Sequence, residues 1–246
     1  QVFNNMVERI NFEISEIKSK AEIEKKLKDE VMENLRMKNL LREAELKSLQ
    51  SRINPHFLFN SLNIVSQLAY IEGAAQTVSI LESMTDLLRY NLDKFNKIVT
   101  IGDEIENLKD YVYIQKKRFG ERIQFEIKEE QEAAEGLIPC LIIQPLLENS
   151  IIHGVQTYTA NGLVGVEVLK KGVRVNIRIY DNGVGIEESK LKDIEKMLNE
   201  GIEDGNSGSI GLANVIARLK LFYNNDVVIK MSSVQGKGTE INLNIP

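Results

Sequence analysis

Residues 50–63 read Gln-Ser-Arg-Ile-Asn-Pro-His-Phe-Leu-Phe-Asn-Ser-Leu-Asn, an otherwise helical stretch with Pro55 directly before His56 and Asn60 one turn beyond. A proline inside a helix donates no backbone hydrogen bond and collides with the carbonyl four residues back, here that of Ser51. The helix is therefore expected to bend or loosen just ahead of His56. Asn60, at i+4, shares a face with His56 and lies within reach of its ring. Phe57, Leu58, Phe59 and Leu62 surround this polar pair with apolar surface. The chain holds only two histidines, and one of them sits at a built-in distortion. A lone helical histidine is ordinarily a satisfied core or surface residue, but that reading leaves the proline and the asparagine unexplained.

The string Ile53–Asn63 resembles the phosphoacceptor box of the LytS/YesM-like sensor histidine kinases, in which this histidine takes the γ-phosphate of ATP. The segment Met84–Leu92 resembles the same family. In many other histidine kinases an acidic residue follows the histidine. Here Phe57 stands in that place, so the resemblance leaves the base that deprotonates His56 unassigned.

Bulk properties set the frame. A chain of 246 residues suits two domains or one large one. Hydrophobic residues at 43% and charged residues at 27% are ordinary for a globular protein with a real core. A net charge of −5 argues against nucleic-acid binding through a basic surface. The one cysteine, Cys140, excludes an internal disulfide framework and, within the apolar run Leu-Ile-Pro-Cys-Leu-Ile-Ile, reads as a buried structural thiol. No apolar run reaches the length of a membrane span. The chain starts at Gln1 without an initiator Met and is already helical in pattern, so it is expected to be a fragment.

Upstream of His56, residues 1–50 are dense in Glu, Lys and Leu. Ile10, Ile14, Ile17 and Ala21 follow the 4-3-4 spacing of a two-stranded seam. Leu27, Val31 and Leu35, then Met37, Leu41 and Ala44, do not keep that register, so the seam is expected to slip. So narrow a stripe needs a partner to bury it, so a parallel helix pair feeding into the His56 helix is expected rather than a solvated single helix. The opening Val2–Ile10 faintly resembles the end of a HAMP signal-relay module.

Downstream, a turn at Glu72–Ala75 leads to a second helix through Val78, Leu81, Met84, Leu87, Leu88 and Leu92. Two helices with one apolar face each enclose no core alone, whereas two copies make a four-helix bundle. Thr100 with Asp103 offers a capping box that opens a helix to about Phe119. From about 120 the texture changes. IQFEIKEE, GLVGVEVLKK, GVRVNIRIYD, DVVIKMSS and GTEINLNI alternate apolar and polar residues as half-buried strands do. CLIIQPLLENSIIHG and GLANVIARLKLFY read as helices, giving a two-layer α/β sandwich. Asn224-Asn225-Asp226 marks a turn.

Four pieces of this half stand in the order found in the ATP-binding domain shared by histidine kinases, DNA gyrase and MutL. The first is Pro145–Gly154. Glu148 and Asn149 lie in an apolar helix, where unpaired polar groups are costly, so they are expected to face a ligand or ion. By resemblance Asn149 offers its carboxamide oxygen to Mg²⁺ and Glu148 is the base or orienter. Many relatives carry Lys at the position of Ile152, and that charge is missing here. His153 is either structural or a phosphate contact. The second is Asp181-Asn182-Gly183-Val184-Gly185, which alone would read as a strand-end turn. By resemblance Asp181 accepts the adenine amino hydrogen, a task for an acceptor-only group. The third, Gly201–Asn214, reads as a flexible linker or as a mobile lid ending at a helix N-terminus, an anion site. Gly208, Gly211, Leu212 and Asn214 match the family pattern, Ser209 departs from it, and Arg218 lies one turn further on. The fourth, Gly236–Thr239, is a hairpin turn or, by resemblance, a neighbour of the nucleotide through Thr239.

The expectation is thus an α+β multidomain chain. Residues 1–48 form a coiled-coil signalling helix, 49–119 the dimerisation and histidine phosphotransfer helices of a dimeric four-helix bundle, and 120–246 an ATP-binding sandwich of the GHKL/Bergerat type. The resemblance implies a homodimeric sensor histidine kinase using ATP and Mg²⁺, with His56, Asn60 and Glu148 as catalytic residues. Asn149 is the metal ligand, and Asn149, His153, Asp181, Gly183, Gly185, Gly208, Gly211, Leu212, Asn214 and Thr239 hold the nucleotide. It further implies transfer to an aspartate of a response regulator receiver domain, no nucleic-acid partner, and the cytoplasmic portion of a bacterial membrane protein anchored upstream. Two alternatives stand beside it: an ATPase in which Glu148 activates water, and a non-catalytic dimeric scaffold, suggested by the missing Lys at 152.

Overall fold

The computed structural model describes residues 37, 55–157, 160–200 and 210–246, and the chain divides into two compact units, 1–58 and 59–246. The expected coiled coil over 1–48, its HAMP-like opening and the residues before Pro55 on which a bend depends lie outside the described residues.

Helix α1, Pro55–Ile71, ends in a turn where Gly73 takes φ +72°, and α2 follows over Ala75–Asp93. The guanidinium of Arg89, near the end of α2, lies 6.0 Å from the Phe59 ring centroid near the start of α1. Within these two helices only Ala69 and Leu81 are buried. Ile64, Leu68 and Ile71 of α1 stay more than half exposed. A short strand β1, Ile98–Thr100, then leads directly into α3, Ile101–Phe119.

The start of α3 is fixed by side chains. Thr100 Oγ1 accepts from the Asp103 N–H at 3.0 Å, and Asp103 Oδ2 accepts from the Thr100 N–H at 3.2 Å. This reciprocal cap satisfies two donors that the helix itself leaves orphaned. Asp103 and Glu104 in the first turn and Lys116, Lys117 and Arg118 in the last complement the helix dipole. β1 pairs antiparallel with β3, Leu137–Pro139, as a two-stranded sheet.

The main sheet has five strands: β2 (Ile123–Glu129), β4 (Gly162–Lys171), β5 (Arg174–Asp181), β6 (Val228–Val234) and β7 (Gly238–Ile245). Their spatial order is β2-β4-β5-β7-β6, with β2 parallel to β4 and every other pair antiparallel. Alternation assigns the faces. Val164, Val166, Val168, Ile177, Ile179, Ile241, Leu243 and Ile245 are buried. They share one core with Ile105, Leu108 and Val112 of α3, with Leu146 and Leu147 of α4 (Ile143–Asn149), and with Val215, Ile216 and Leu219 of α6 (Ile210–Phe222). Helix α5, Glu188–Glu200, lies between β5 and α6 in the chain.

The opposite face is polar, and charges cross it from strand to strand. Lys128 meets Glu167 at 3.0 Å, Glu167 meets Arg178 at 3.0 Å, and Arg178 meets Glu240 at 2.7 Å. The expected two-layer α/β sandwich is therefore the observed one. Among the described residues no helix is long and apolar enough to cross a membrane.

Replacing Thr100 by Ala is expected to cost about 1 kcal/mol of stability, the usual worth of a lost N-cap. Urea denaturation measures it, and an unchanged midpoint would show the cap to be dispensable.

Candidate functional site

Three chain segments converge on the carboxylate of Asp181, the last residue of β5. Asp181 is 7% exposed. Its Oδ1 accepts from the Gly183 N–H at 2.8 Å, and the Ser150 hydroxyl and the Thr239 N–H also donate to the carboxylate. Burial raises its pKa above the ordinary 3.8, and these three donors pull it back.

Backbone surrounds the carboxylate closely. A Cβ on Gly154 would stand 2.7 Å from Asp181 Oδ1, one on Gly183 would stand 2.3 Å from the carbonyl of Gly154, and one on Gly238 would stand 1.9 Å from the carbonyl oxygen of Asp181. Only hydrogen fits at these three places, so the glycines let the segments close around one acidic group. The loop after Asp181 is tied down as well. Val184 donates to the Gly154 carbonyl at 3.0 Å, and Gly236 donates to that of Val184 at 2.7 Å. Gly185, at φ +68°, presses against Val234, where a Cβ would meet its carbonyl oxygen at 2.2 Å. Ser233 Oγ accepts from Ile186 N–H and shares a hydrogen bond with Thr239 Oγ1, both at 2.8–2.9 Å.

Helix α4 carries Glu148 and Asn149 at its end. Pro145 is tolerated because it sits in the first turn, where its missing N–H would have had no intrahelical partner. The helix then widens into a π-turn over Ser150–Val155, which contains Ile152, His153 and Gly154. Ser150 is thereby aimed at Asp181, while Ile152 and His153 are exposed. Glu148 Oε1 accepts from Gln144 Nε2 at 2.9 Å, and Gln144 Oε1 accepts from Asn107 Nδ2 of α3 at 2.8 Å.

The fold thus brings Asp181, Gly183, Gly185 and Thr239 together beside the π-turn that follows Glu148 and Asn149. Gly211 and Leu212 lie in the first turn of α6 and Asn214 just beyond it, with Leu212 buried and the other two exposed. Gly208 and Ser209 lie outside the described residues. The guanidinium of Arg218 lies 3.8 Å from the Sγ of Cys140, which is fully buried. His56 belongs to the unit 1–58 and is exposed, and Asn60 is exposed on α1.

Sequence reasoning missed Ser150, Gln144 and Asn107. It also missed Glu104 of α3, which is 1% exposed and accepts from three successive backbone N–H groups at the start of α4. A signal for Glu104 existed. It falls three residues after Ile101 and four before Leu108, within the buried stripe of α3, where a carboxylate needs donors.

Because the native pKa of Asp181 is raised, its stabilising contribution is full below 3.8 and is lost as pH rises through the native value. The stability of the parent relative to Asp181→Asn is therefore expected to fall as pH climbs from about 4 and then to level off. Parallel denaturation curves from pH 4 to 8 measure this. An opposite slope would mean that the donors outweigh burial.

Residues 44–123 match the family model described as histidine kinase, and residues 137–246 match that of the histidine kinase-, DNA gyrase B- and HSP90-like ATPases. The sensor histidine kinase YpdA of Escherichia coli is 37% identical over 88% of this chain and 37% of its own length. The sensor histidine kinase YesM of Bacillus subtilis is 32% identical over 90% of this chain and 37% of its own. The chain thus spans a little over a third of the length of these relatives. A histidine kinase domain from Erythrobacter litoralis aligns over 78% of this chain and 85% of its own, at 16% identity and a TM-score of 0.44. By sequence, a histidine kinase match is thus followed in this chain by a match to the ATPases of the gyrase B and HSP90 kind, and the relatives it resembles over most of its length are sensor histidine kinases.

Proposed function

We propose that this chain is the kinase core of a bacterial two-component sensor, which phosphorylates His56 from ATP and passes the phosphoryl group to an aspartate of a response regulator receiver domain. The observation that carries this reading is the pairing, in one chain, of the phosphoacceptor box at His56 with a sandwich whose nucleotide-type motifs meet around the buried Asp181. A carboxylate accepts hydrogen bonds and donates none, which suits the adenine amino group and opposes a guanine carbonyl. Gly183, Gly185 and Thr239 line the same neighbourhood, and Gly208, Gly211, Leu212 and Asn214 are assigned to the nucleotide in this reading. His153, exposed on the π-turn, is a phosphate contact in this reading.

Asn149 offers one carboxamide oxygen for Mg²⁺, a cation that keeps several waters and binds through few protein oxygens together with substrate phosphates. When bound, the ion offsets phosphate charge. In the transfer a lone pair of a His56 ring nitrogen forms the N–P bond while the bond from the γ-phosphorus to the bridging oxygen breaks. ADP leaves and the imidazole releases a proton. Asn60 orients the ring, Glu148 orients or accepts the proton, and the remaining work is positioning and charge stabilisation.

The domain limits 1–48, 49–119 and 120–246 belong to this proposal, as do the coiled coil and the homodimer. The exposed apolar stripe Ile64, Leu68 and Ile71 supports the dimer, since a second copy buries it as a four-helix bundle. A membrane anchor and sensing region upstream, with this part on the cytoplasmic side, complete the reading. The share of the relatives' length that this chain leaves unspanned is room for them.

His56→Gln is expected to abolish self-phosphorylation while ATP affinity stays within about twofold, measured with γ-labelled ATP and by nucleotide titration. Label persisting on that variant would overturn the assignment. Asp181→Asn is expected to weaken ATP binding roughly tenfold to a hundredfold, the worth of one buried hydrogen-bond partner, and to narrow the preference for ATP over GTP. Unchanged affinity and preference in a folded variant would place the nucleotide elsewhere.

A further inference from the structure

A buried polar cluster joins the end of α2, the start of α3 and the start of α4, and the nucleotide-contacting roles assigned above leave it unused. Glu104 Oε1 accepts from the Leu141 N–H at 2.6 Å and from the Tyr90 hydroxyl at 2.7 Å. Its Oε2 accepts from the N–H groups of Ile142 and Ile143 at 2.9 and 3.2 Å. Three consecutive N–H groups converge on one carboxylate because Leu141 has φ +57° and Ile142 has φ −100° and ψ −50°. A left-handed residue followed by a right-handed one points successive N–H groups into a common concavity, a nest for an anion. A leucine adopts positive φ only where its surroundings over-determine it. Here the captured carboxylate supplies that constraint.

The same helix grips α4 a second time. Asn107, one turn after Glu104 and 5% exposed, holds Gln144, and Gln144 holds Glu148. Helix α4 is therefore set at its start by Glu104 and at its functional end through Asn107 and Gln144. Tyr90 lies in the last turn of α2, the helix that follows the His56-bearing α1. Burial first, and Glu104 second, push the Tyr90 hydroxyl far above the ordinary phenol range, so it remains a donor at any working pH.

We propose that Tyr90 and Glu104 are positioning residues for the phosphoryl transfer: Glu104 fixes the start of α4, and with it Glu148 and Asn149, to α3, and Tyr90 fastens the end of α2 to the same carboxylate. This rests on the function proposed above. Helix α4 cannot slide along α3 without breaking hydrogen bonds to a buried carboxylate. Displacement of α2 likewise breaks the bond from Tyr90, so a movement of the phosphoacceptor hairpin is registered at the helix that carries Glu148 and Asn149. A cap that served stability alone would hold α4 equally well with or without the tyrosine hydroxyl.

The test uses the full chain with two variants. Tyr90→Phe keeps the ring and removes one donor. It is expected to bind a fluorescent ATP analogue within about twofold of the parent while the self-phosphorylation rate at saturating ATP falls by about fivefold or more. Glu104→Gln offers a single acceptor oxygen and turns an NH₂ group against backbone donors, so its dissociation constant for the analogue is expected to rise by about fivefold or more. A parental rate in Tyr90→Phe, with or without a lowered melting temperature, overturns the proposal, as does parental affinity in a folded Glu104→Gln. If Glu104→Gln does not fold, Tyr90→Phe decides alone. If the parent takes label on a residue other than His56, the functional reading falls, and the affinity of Glu104→Gln still decides whether Glu104 sets the nucleotide helix.

Discussion

At the end of β5, three segments of the sandwich are arranged around one carboxylate that is taken out of water. A buried acidic group is tolerated only where donors meet it. Asp181 receives them from its own loop through Gly183, from the π-turn through Ser150, and from β7 through Thr239. Those donors come from three separate segments, so the β5 loop, the π-turn and the start of β7 must close together. The closure leaves no space for side chains at Gly154, Gly183 and Gly238. The wide turn over Ser150–Val155 follows from the same demand, because it brings both Ser150 and the bare backbone of Gly154 up to Asp181.

A second buried carboxylate does for helix placement what Asp181 does for the three segments that close around it. Glu104 gathers the backbone at 141–143 and the Tyr90 hydroxyl. The helix it anchors ends at Glu148 and Asn149, and the turn beyond that end supplies Ser150 to Asp181. The two acidic groups are thus linked through one short helix and its continuation. Chemistry that depends chiefly on positioning, as phosphoryl transfer does, gains from such rigidity, since small displacements of reacting groups cost rate steeply.

The sequence disclosed most of this where a pattern is long or a local rule is strong. Alternation located all five strands of the main sheet, and the Thr100–Asp103 box located the start of α3 where it is found. Asn224 and Asn225 both take positive φ, as their turn requires. The strands β1 and β3 escaped because three residues each are too few for a periodicity to register. Helix α5 escaped because its run of charged residues between a glycine-containing turn and a glycine-rich segment reads as loop. Glu104 and Ser150 escaped for another reason. Single polar residues inside apolar patterns look like exceptions until the fold supplies their partners from 37 and 31 positions away.

The central claim is that the γ-phosphoryl group of ATP ends on an imidazole of this chain. Incubation with γ-labelled ATP, followed by mass-spectrometric mapping of the modified residue and by acid and base treatment, tests it most directly. The claim requires a single labelled position, His56, carrying a bond that acid breaks and base leaves intact. Release of inorganic phosphate with no labelled protein would contradict it and would make the chain an ATPase in which Glu148 activates water.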